Sequence, residues 1–411
     1  MNTLNGKHVI LGITGGIAAY KSAELTRRLR DAGADVRVVM TRAATEFVTP
    51  LTFQALSGNP VHTELLDEKA EAGMGHIQLA RWADAVLIAP ASANCLAKLA
   101  HGRADDLLTT LSLASEAPLA LAPAMNRVMW QDPATQDNVV TLKKRGVTLF
   151  GPAVGSQACG EAGEGRLLDV PELVAGLSSL FKTGLLQGIN VLITAGPTYE
   201  PIDPVRFIGN RSSGRMGFAL AQAAREAGAK VTLISGPCHL TTPDDAQRID
   251  VETAAQMHAA VMQQIPGNQI FISAAAVADY RPKAVSKHKL KKQQAERNIE
   301  LERTEDILTN VTQLKPRPFV VGFAAETENI ECNARKKLEN KALDMIAANR
   351  VGKDANARDI GFNSAYNALQ VFSAYGEVTF GHARKTALAR ELIQLIAEHY
   401  SKKQQHRQDT A

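Results

Sequence analysis

His8-Val-Ile-Leu-Gly-Ile-Thr-Gly-Gly-Ile17 reads as a buried strand that breaks at a glycine turn and hands over to a helix. The strand is expected over 8–14 and the helix over 17–32, with charges on one face and Gly33 at its end. Further strands are expected at 35–41, 85–91, 118–124 and 147–150, with helical patterns between them. Alternation of this kind predicts a parallel, doubly wound α/β sheet.

The pattern restarts after Phe181. Residues 190–195 read as a strand, 216–227 as a helix and 230–235 as a strand, and Arg225-Glu-Ala-Gly-Ala-Lys-Val231 echoes Arg30-Asp-Ala-Gly-Ala-Asp-Val36. Later strands are expected at 269–277, 319–323 and 344–348, then a hairpin within 367–380 turning at Tyr375-Gly376, and a closing amphipathic helix over 384–399. Two α/β domains are therefore predicted, 1–187 and 188–411. The length of 411 residues agrees, because one core rarely serves so long a chain.

An apolar fraction of 45% with 21% charge is that of a soluble globular protein, and no apolar run approaches a membrane span. The opening residues lack the features of a signal peptide, so a cytoplasmic location is expected. The four cysteines are widely spaced, which argues against a zinc site and a disulfide framework. The net charge of +4 is modest, and part of it lies in the polar tail 401–411, expected to be frayed. No nucleic-acid or membrane partner is called for.

The loop Gly15-Gly16-Ile17 could hold a phosphate on its amides and the helix start, with Thr41 at the same sheet edge. A tight turn without a ligand is the plain alternative. Ala89-Pro-Ala-Ser92-Ala-Asn94 and Ala122-Pro-Ala-Met-Asn126-Arg-Val-Met-Trp130 each break a strand at a proline and present an asparagine, which alone would read as a helix N-cap. His76 alone could simply begin a helix, and Cys159 alone would be inert.

Together, Gly15-Gly-Ile-Ala-Ala-Tyr-Lys21, Gly75-His-Ile77, the Ser92-Ala-Asn94 segment, Pro123-Ala-Met-Asn-Arg-Val-Met-Trp130 and Gly155-Ser-Gln-Ala-Cys-Gly160 resemble the homo-oligomeric flavin-containing cysteine decarboxylases, which are flavodoxin-like. The resemblance spans roughly 6–181. It implies that His76 is the base, Asn126 binds the substrate carboxylate, Cys159 in a flap is the proton donor, and Gly15, Gly16, Ile17, Thr41, Ser92 and Asn94 hold FMN. The chemistry is coherent, since a carboxylate on an unactivated carbon needs an electron sink. Oxidation of the neighbouring thiol-bearing carbon by a flavin would provide one, and a lone thiol suits the later protonation.

In the second half, Asn190-Val-Leu-Ile-Thr-Ala-Gly-Pro-Thr198 and Asn210-Arg-Ser-Ser-Gly-Arg-Met-Gly217 lead into a helix whose start is an anion site. Ser273-Ala-Ala-Ala-Val-Ala-Asp-Tyr280 ends on Asp279, which suits a magnesium-nucleotide site. The basic run through Lys289, Lys291 and Lys292 suits a triphosphate, with a solvated loop or a nucleic-acid patch as the plain readings. Aromatic residues, only 5% of the chain, are too few to favour base stacking.

These segments resemble the phosphopantothenate-cysteine ligases, with a Rossmann-like fold, over roughly 188–400. The resemblance implies CTP and Mg2+, 4'-phosphopantothenate and L-cysteine as substrates, and an acyl-cytidylate intermediate. It makes Asn210, Asp279 and Lys289 functional, and Ser273, Ala274, Ala275, Ile307, Phe323, Lys337 and Lys341 nucleotide contacts, with Asp279 the metal ligand. Glu305-Asp-Ile-Leu308 departs from the family's usual Asn-Pro-Asp-Ile and leaves that turn's phosphate contacts open. For the decarboxylase reaction the substrate is 4'-phosphopantothenoylcysteine. Trimers of the first half and dimers of the second are implied, compatible with a dodecamer.

Overall fold

The computed structural model describes residues 4–65, 75–157, 160–291, 298–353, 359–360 and 364–409. The chain forms two compact units, Met1–Phe181 and Lys182–Ala411.

In the first unit, β1 (His8–Ile13), β2 (Asp35–Met40), β3 (Ala85–Ala91), β4 (Leu119–Pro123) and β5 (Thr148–Leu149) form a parallel sheet in the order β2-β1-β3-β4-β5. This is the flavodoxin-like order, with its switch point between β1 and β3. All of β3 is buried, as a central strand covered on both faces must be. One face packs on Leu25, Leu29, Phe53 and Leu173, the other on Leu96, Leu99, Leu111 and Trp130. Truncating a central residue such as Leu87 to alanine would cost about 2–5 kcal/mol.

The helix Lys21–Asp31 buries Ser22, Leu25, Thr26 and Leu29, one face of a 3.6-residue period. It starts later than expected, because Ile17–Tyr20 forms a 3-10 turn instead. A separate antiparallel hairpin, β6 (Ala153–Ser156) and β7 (Ala162–Arg166), was not anticipated from the sequence.

The second unit has an eight-stranded sheet. Its strands are β8 (Asn190–Ala195), β11 (Lys230–Ser235), β12 (Gln247–Asp250), β13 (Ile270–Ser273), β16 (Phe319–Glu326), β17 (Met345–Arg350), β20 (Tyr366–Ser373) and β21 (Gly376–Arg384). Short pairs lie outside it: β9 (Tyr199–Pro201) with β10 (Phe207–Gly209), β14 (Tyr280–Pro282) with β15 (Leu301–Arg303), and β18 (Gly352–Lys353) with β19 (Asp359–Ile360). The order β12-β11-β8-β13-β16-β17 is parallel and Rossmann-like. The hairpin β20-β21 adds an antiparallel edge. Leu220, Leu388 and Leu392 cover one face, and Met257, Val261 and Val311 the other.

Several expectations need correction. The stretch 183–187 belongs to the second unit: Thr183 N donates to Glu226 O at 3.1 Å, Leu186 N to Ala227 O at 2.7 Å, and Leu186 is buried in the second core. The strand expected over 269–277 stops at Ser273, since the backbone beyond it bonds across to the loop after β8. The tail is not frayed over its described length, because the last helix runs Lys385–Asp409. Lys403 pairs with Asp344, and Tyr400 meets Phe319 edge-on at 6.2 Å between ring centroids. None of the described helices is long and apolar enough to cross a membrane.

Candidate active sites

The first site lies at the carboxyl ends of β1 and β3, where open α/β sheets collect ligands. Thr14 ties the two strands together there. Its hydroxyl donates to Pro90 O at 2.7 Å and accepts from Ser92 N at 2.9 Å. A Cβ on Gly15 would lie 2.5 Å from Ala43 Cβ and 3.0 Å from its backbone, so only glycine fits against the short helix that follows Thr41. A Cβ on Gly16, by contrast, would meet nothing within 4 Å. Thr41 is the N-cap of the helix Arg42–Thr45.

Ser92 is the N-cap of the helix Ala93–Ala100 and accepts from Cys95 N at 3.3 Å. The capping role suggested for Asn94 thus falls to Ser92, and Asn94 stands exposed in the helix's first turn. Hydroxyls, exposed amide side chain and a glycine turn make a neutral donor set suited to a flavin phosphate. Cys95 beneath it is no reactive thiol, because burial and the nearby Asp106 push it up to about 12.

Asn126 does cap a helix, and the cap turns it outward. Its Oδ1 accepts from Val128 N at 2.8 Å, which leaves the NH2 end as the presented group. Nδ2 donates to Glu161 Oε2 at 3.0 Å. The β6-β7 hairpin docks on this segment: Met125 N donates to Gly165 O at 2.9 Å, Arg127 N to Gln157 Oε1 at 3.1 Å, and Trp130 Nε1 to Glu164 Oε2 at 3.2 Å. Gly165, at φ 129°, is where a Cβ would strike Met125 O.

Cys159 lies outside the described residues, between Gln157 and Gly160 of this hairpin's turn. His76 is half-buried in the first turn of the helix Gly75–Trp82. The hydrogen bonds described for Asn126 run to Val128 and Glu161 rather than to His76. Gln157, Glu161 and Glu164 escaped the sequence reading, although Gly155-Ser-Gln-Ala-Cys-Gly160 marked their neighbourhood.

The second site is a cavity of about 510 Å3 at the carboxyl ends of β13 and β16. Ser273, Ala275, Asp279, Ile307, Phe323, Lys337 and Lys341 all line it, as do Glu305, Asp306 and Leu308 of the turn whose contacts the sequence left open, Tyr280 of the Ser273–Tyr280 motif, and Arg303 and Thr304, which the sequence reading did not single out. Ala274 does not line it and instead donates its N–H to Thr194 O at 3.2 Å. Lys337 donates to Phe323 O at 2.8 Å, and burial, then the charge of Lys341, draws its pKa below the usual lysine range. Lys341 pairs with Asp306 at 2.7 Å. Burial opposes ionisation of Asp306, yet Lys341 and the Thr309 N–H hold its carboxyl below the ordinary range.

Asn210 donates from Nδ2 to Ala276 O and Val277 O, both at 3.1 Å, and so braces the loop leading to Asp279. Lys289 is exposed and is not part of the cavity lining. Its loop is anchored by the buried Asp203, whose carboxylate accepts from Val205 N at 2.8 Å, Arg206 N at 2.9 Å and Leu290 N at 3.2 Å. No group of three or more His, Cys, Asp or Glu among the described residues is placed to hold a metal ion. Asp279 alone fits a Mg2+ ligated mainly by phosphate and water, the habit of that ion.

Two family models match, "Flavoprotein" over residues 1–182 and "DNA/pantothenate metabolism flavoprotein C-terminal domain" over 186–400. The chain is 54% identical over 401 residues to the coenzyme A biosynthesis bifunctional protein CoaBC of Vibrio cholerae, covering 97% of this chain and 100% of that one. It is 50% identical over 406 residues to the protein of the same name from Escherichia coli, covering 98% and 99%. A crystal structure of the C-terminal domain of such a protein matches at 40% identity and a TM-score of 0.45, over 54% of this chain and 100% of that one.

Proposed function

The chain belongs to the bifunctional coenzyme A biosynthesis proteins, and we propose that its two units carry out consecutive reactions. The second unit joins 4'-phosphopantothenate to L-cysteine with CTP and Mg2+, through an acyl-cytidylate. The first decarboxylates the resulting 4'-phosphopantothenoylcysteine to 4'-phosphopantetheine with FMN. The observation that carries this is the second cavity, which gathers seven separately foreseen residues from four stretches of chain.

In the second unit, Ser273, Ala275 and Phe323 form the wall for the nucleotide base and sugar, while Lys337 and Lys341 meet its phosphates. Lys289 closes over the triphosphate from the Asp203-anchored loop and neutralises charge that develops as the cytidylate forms. Asn210 fixes the loop carrying Asp279 and faces the anionic intermediate. In the first unit, the Gly15–Ile17 turn, Thr41, Ser92 and Asn94 hold FMN, which supplies the electron sink when bound. Asn126 binds the substrate carboxylate, His76 takes the thiol proton and Cys159 returns a proton to the product carbon. The assembly combines trimers of the first unit with dimers of the second, and works in the cytoplasm.

The test is mass spectrometry of products from phosphopantothenate, cysteine, CTP and Mg2+. The adduct and its carbon-dioxide-depleted successor are expected. Lys289→Gln should lower ligation by roughly 100-fold or more without touching decarboxylation of supplied adduct. Unchanged ligation in that variant would return the basic run to a solvated loop.

A further inference from the structure

Glu161 places a carboxylate where a ligand's carboxylate would bind. The Asn126 amide, turned by its cap bond to Val128 N, meets Glu161 Oε2 at 3.0 Å, and Arg127 Nε lies 3.3 Å from the same oxygen. An amide donor and a guanidinium converging on one carboxylate oxygen form a site for any carboxylate. The backbone of Glu161 is held there by bonds that do not involve its side chain: Gln157 N donates to Glu161 O at 2.8 Å, and Gln157 Oε1 accepts from Arg127 N at 3.1 Å. The carboxylate can therefore swing away while the hairpin stays docked. Arg127 and Glu161 are 40% and 42% exposed, so solvent screens the pair and leaves it exchangeable.

We propose that Glu161 is an internal stand-in for the substrate's carboxylate, resting on Asn126 and Arg127 until the substrate displaces it. This rests on the reading of Asn126 as the donor to that carboxylate. The effect is selective between the two ends of the reaction. A ligand bearing a carboxylate must displace Glu161 and replaces its bonds, so its affinity is reduced by the exchange. The decarboxylated product offers Asn126 nothing and binds with Glu161 still in place. Glu161 is thus a specificity residue that sets substrate affinity without setting product affinity.

The experiment uses the full-length, FMN-loaded protein. In Glu161→Gln the KM for 4'-phosphopantothenoylcysteine should fall about three- to tenfold, while the inhibition constant of 4'-phosphopantetheine stays in place. Glu161→Asp, which keeps the charge on a shorter arm, should give a KM between those of the parent and the Gln variant. A KM that rises in Glu161→Gln, or that moves together with the product constant, would overturn the proposal. So would an Asp variant with a KM below that of the Gln variant. Asn126→Ala separates the two layers. A KM unchanged there sinks the reading of Asn126 itself, whereas a raised KM there with no fall in Glu161→Gln sinks the stand-in alone.

Discussion

Both candidate sites lie at the carboxyl ends of parallel strands, the first at the β1-β3 switch point and the second one strand beyond the β8-β13 switch point, and they meet negative charge differently. At the first, the β1 and β3 ends offer hydroxyls, backbone amides and a glycine turn, without a lysine or arginine among the proposed flavin contacts. At the second, Lys337, Lys341, Asp279, Asp306 and Glu305 line one cavity, and Lys341 and Asp306 form an ion pair within it. A cofactor phosphate that stays bound is served by fixed dipoles, which need no reorganisation. A ligand that arrives, reacts and departs develops charge as it does so, and cations held in place beside carboxylates, as Lys337 and Lys341 are, can offset that charge. The carboxyl edge of a doubly wound sheet therefore says where a ligand binds and the local charge says what it does.

The largest way to break this comparison is Gly15→Asp. The new side chain would collide with Ala43 and set a carboxylate against the phosphate, so the protein should lose its flavin absorbance and its decarboxylation by roughly 100-fold or more. Ligation should continue at its former rate, and a parallel loss would show that the two units do not work independently.

A smaller effect is expected from Asp203→Asn, read as KM for CTP. Loss of the anchor under the Lys289 loop should raise it about tenfold, the worth of a hydrogen bond to a charged group. The same variant has a pH signature. Burial works against the Asp203 charge, but the N–H groups of Val205, Leu290 and Arg206 hold its pKa below the ordinary range. A lowered folded pKa gives stability that is complete above the unfolded value of about 3.9 and is lost as pH falls through the folded one. Thermal melts should therefore separate parent and variant fully at neutral pH, and the gap should close only well below about pH 4. A gap that closed nearer neutrality would assign the stability to another group.

The smallest expected effect sharpens the comparison by unit. Ending the chain after Tyr400 removes the Lys403–Asp344 pair and the end of the last helix. The loss should be about 1 kcal/mol, visible as a lower midpoint for the second unit's transition and no change in flavin retention.

Both sheets were legible because each parallel strand is an apolar run and each helix repeats a buried face, as Ser22, Leu25, Thr26 and Leu29 do. The second unit's cavity was legible through short motifs that end strands, where the fold must place ligands. The β6-β7 hairpin was not, since Ala153–Ser156 and Ala162–Arg166 are glycine-rich, short and partly exposed, with no buried face to set a period. Its docking through Gln157, Glu161 and Glu164 depends on long-range side-chain bonds that leave no local pattern. The tail was misjudged for a similar reason. Its polar composition hid one lysine that finds a carboxylate on a distant loop. The early end of β13 was equally hidden, because the bonds from Gly196 and Asn210 that divert it come from elsewhere in the chain.

Asn126 caps a helix with one end of its amide and donates to Glu161 with the other. An alanine there is felt twice, as roughly 1 kcal/mol of lost capping and as a missing donor. Serine retains the first property and lacks the second, whereas alanine lacks both. Tolerance at this position is therefore set by folding and turnover jointly, and a variant library sorted only for soluble protein would already have thinned out its members before any activity was asked of them.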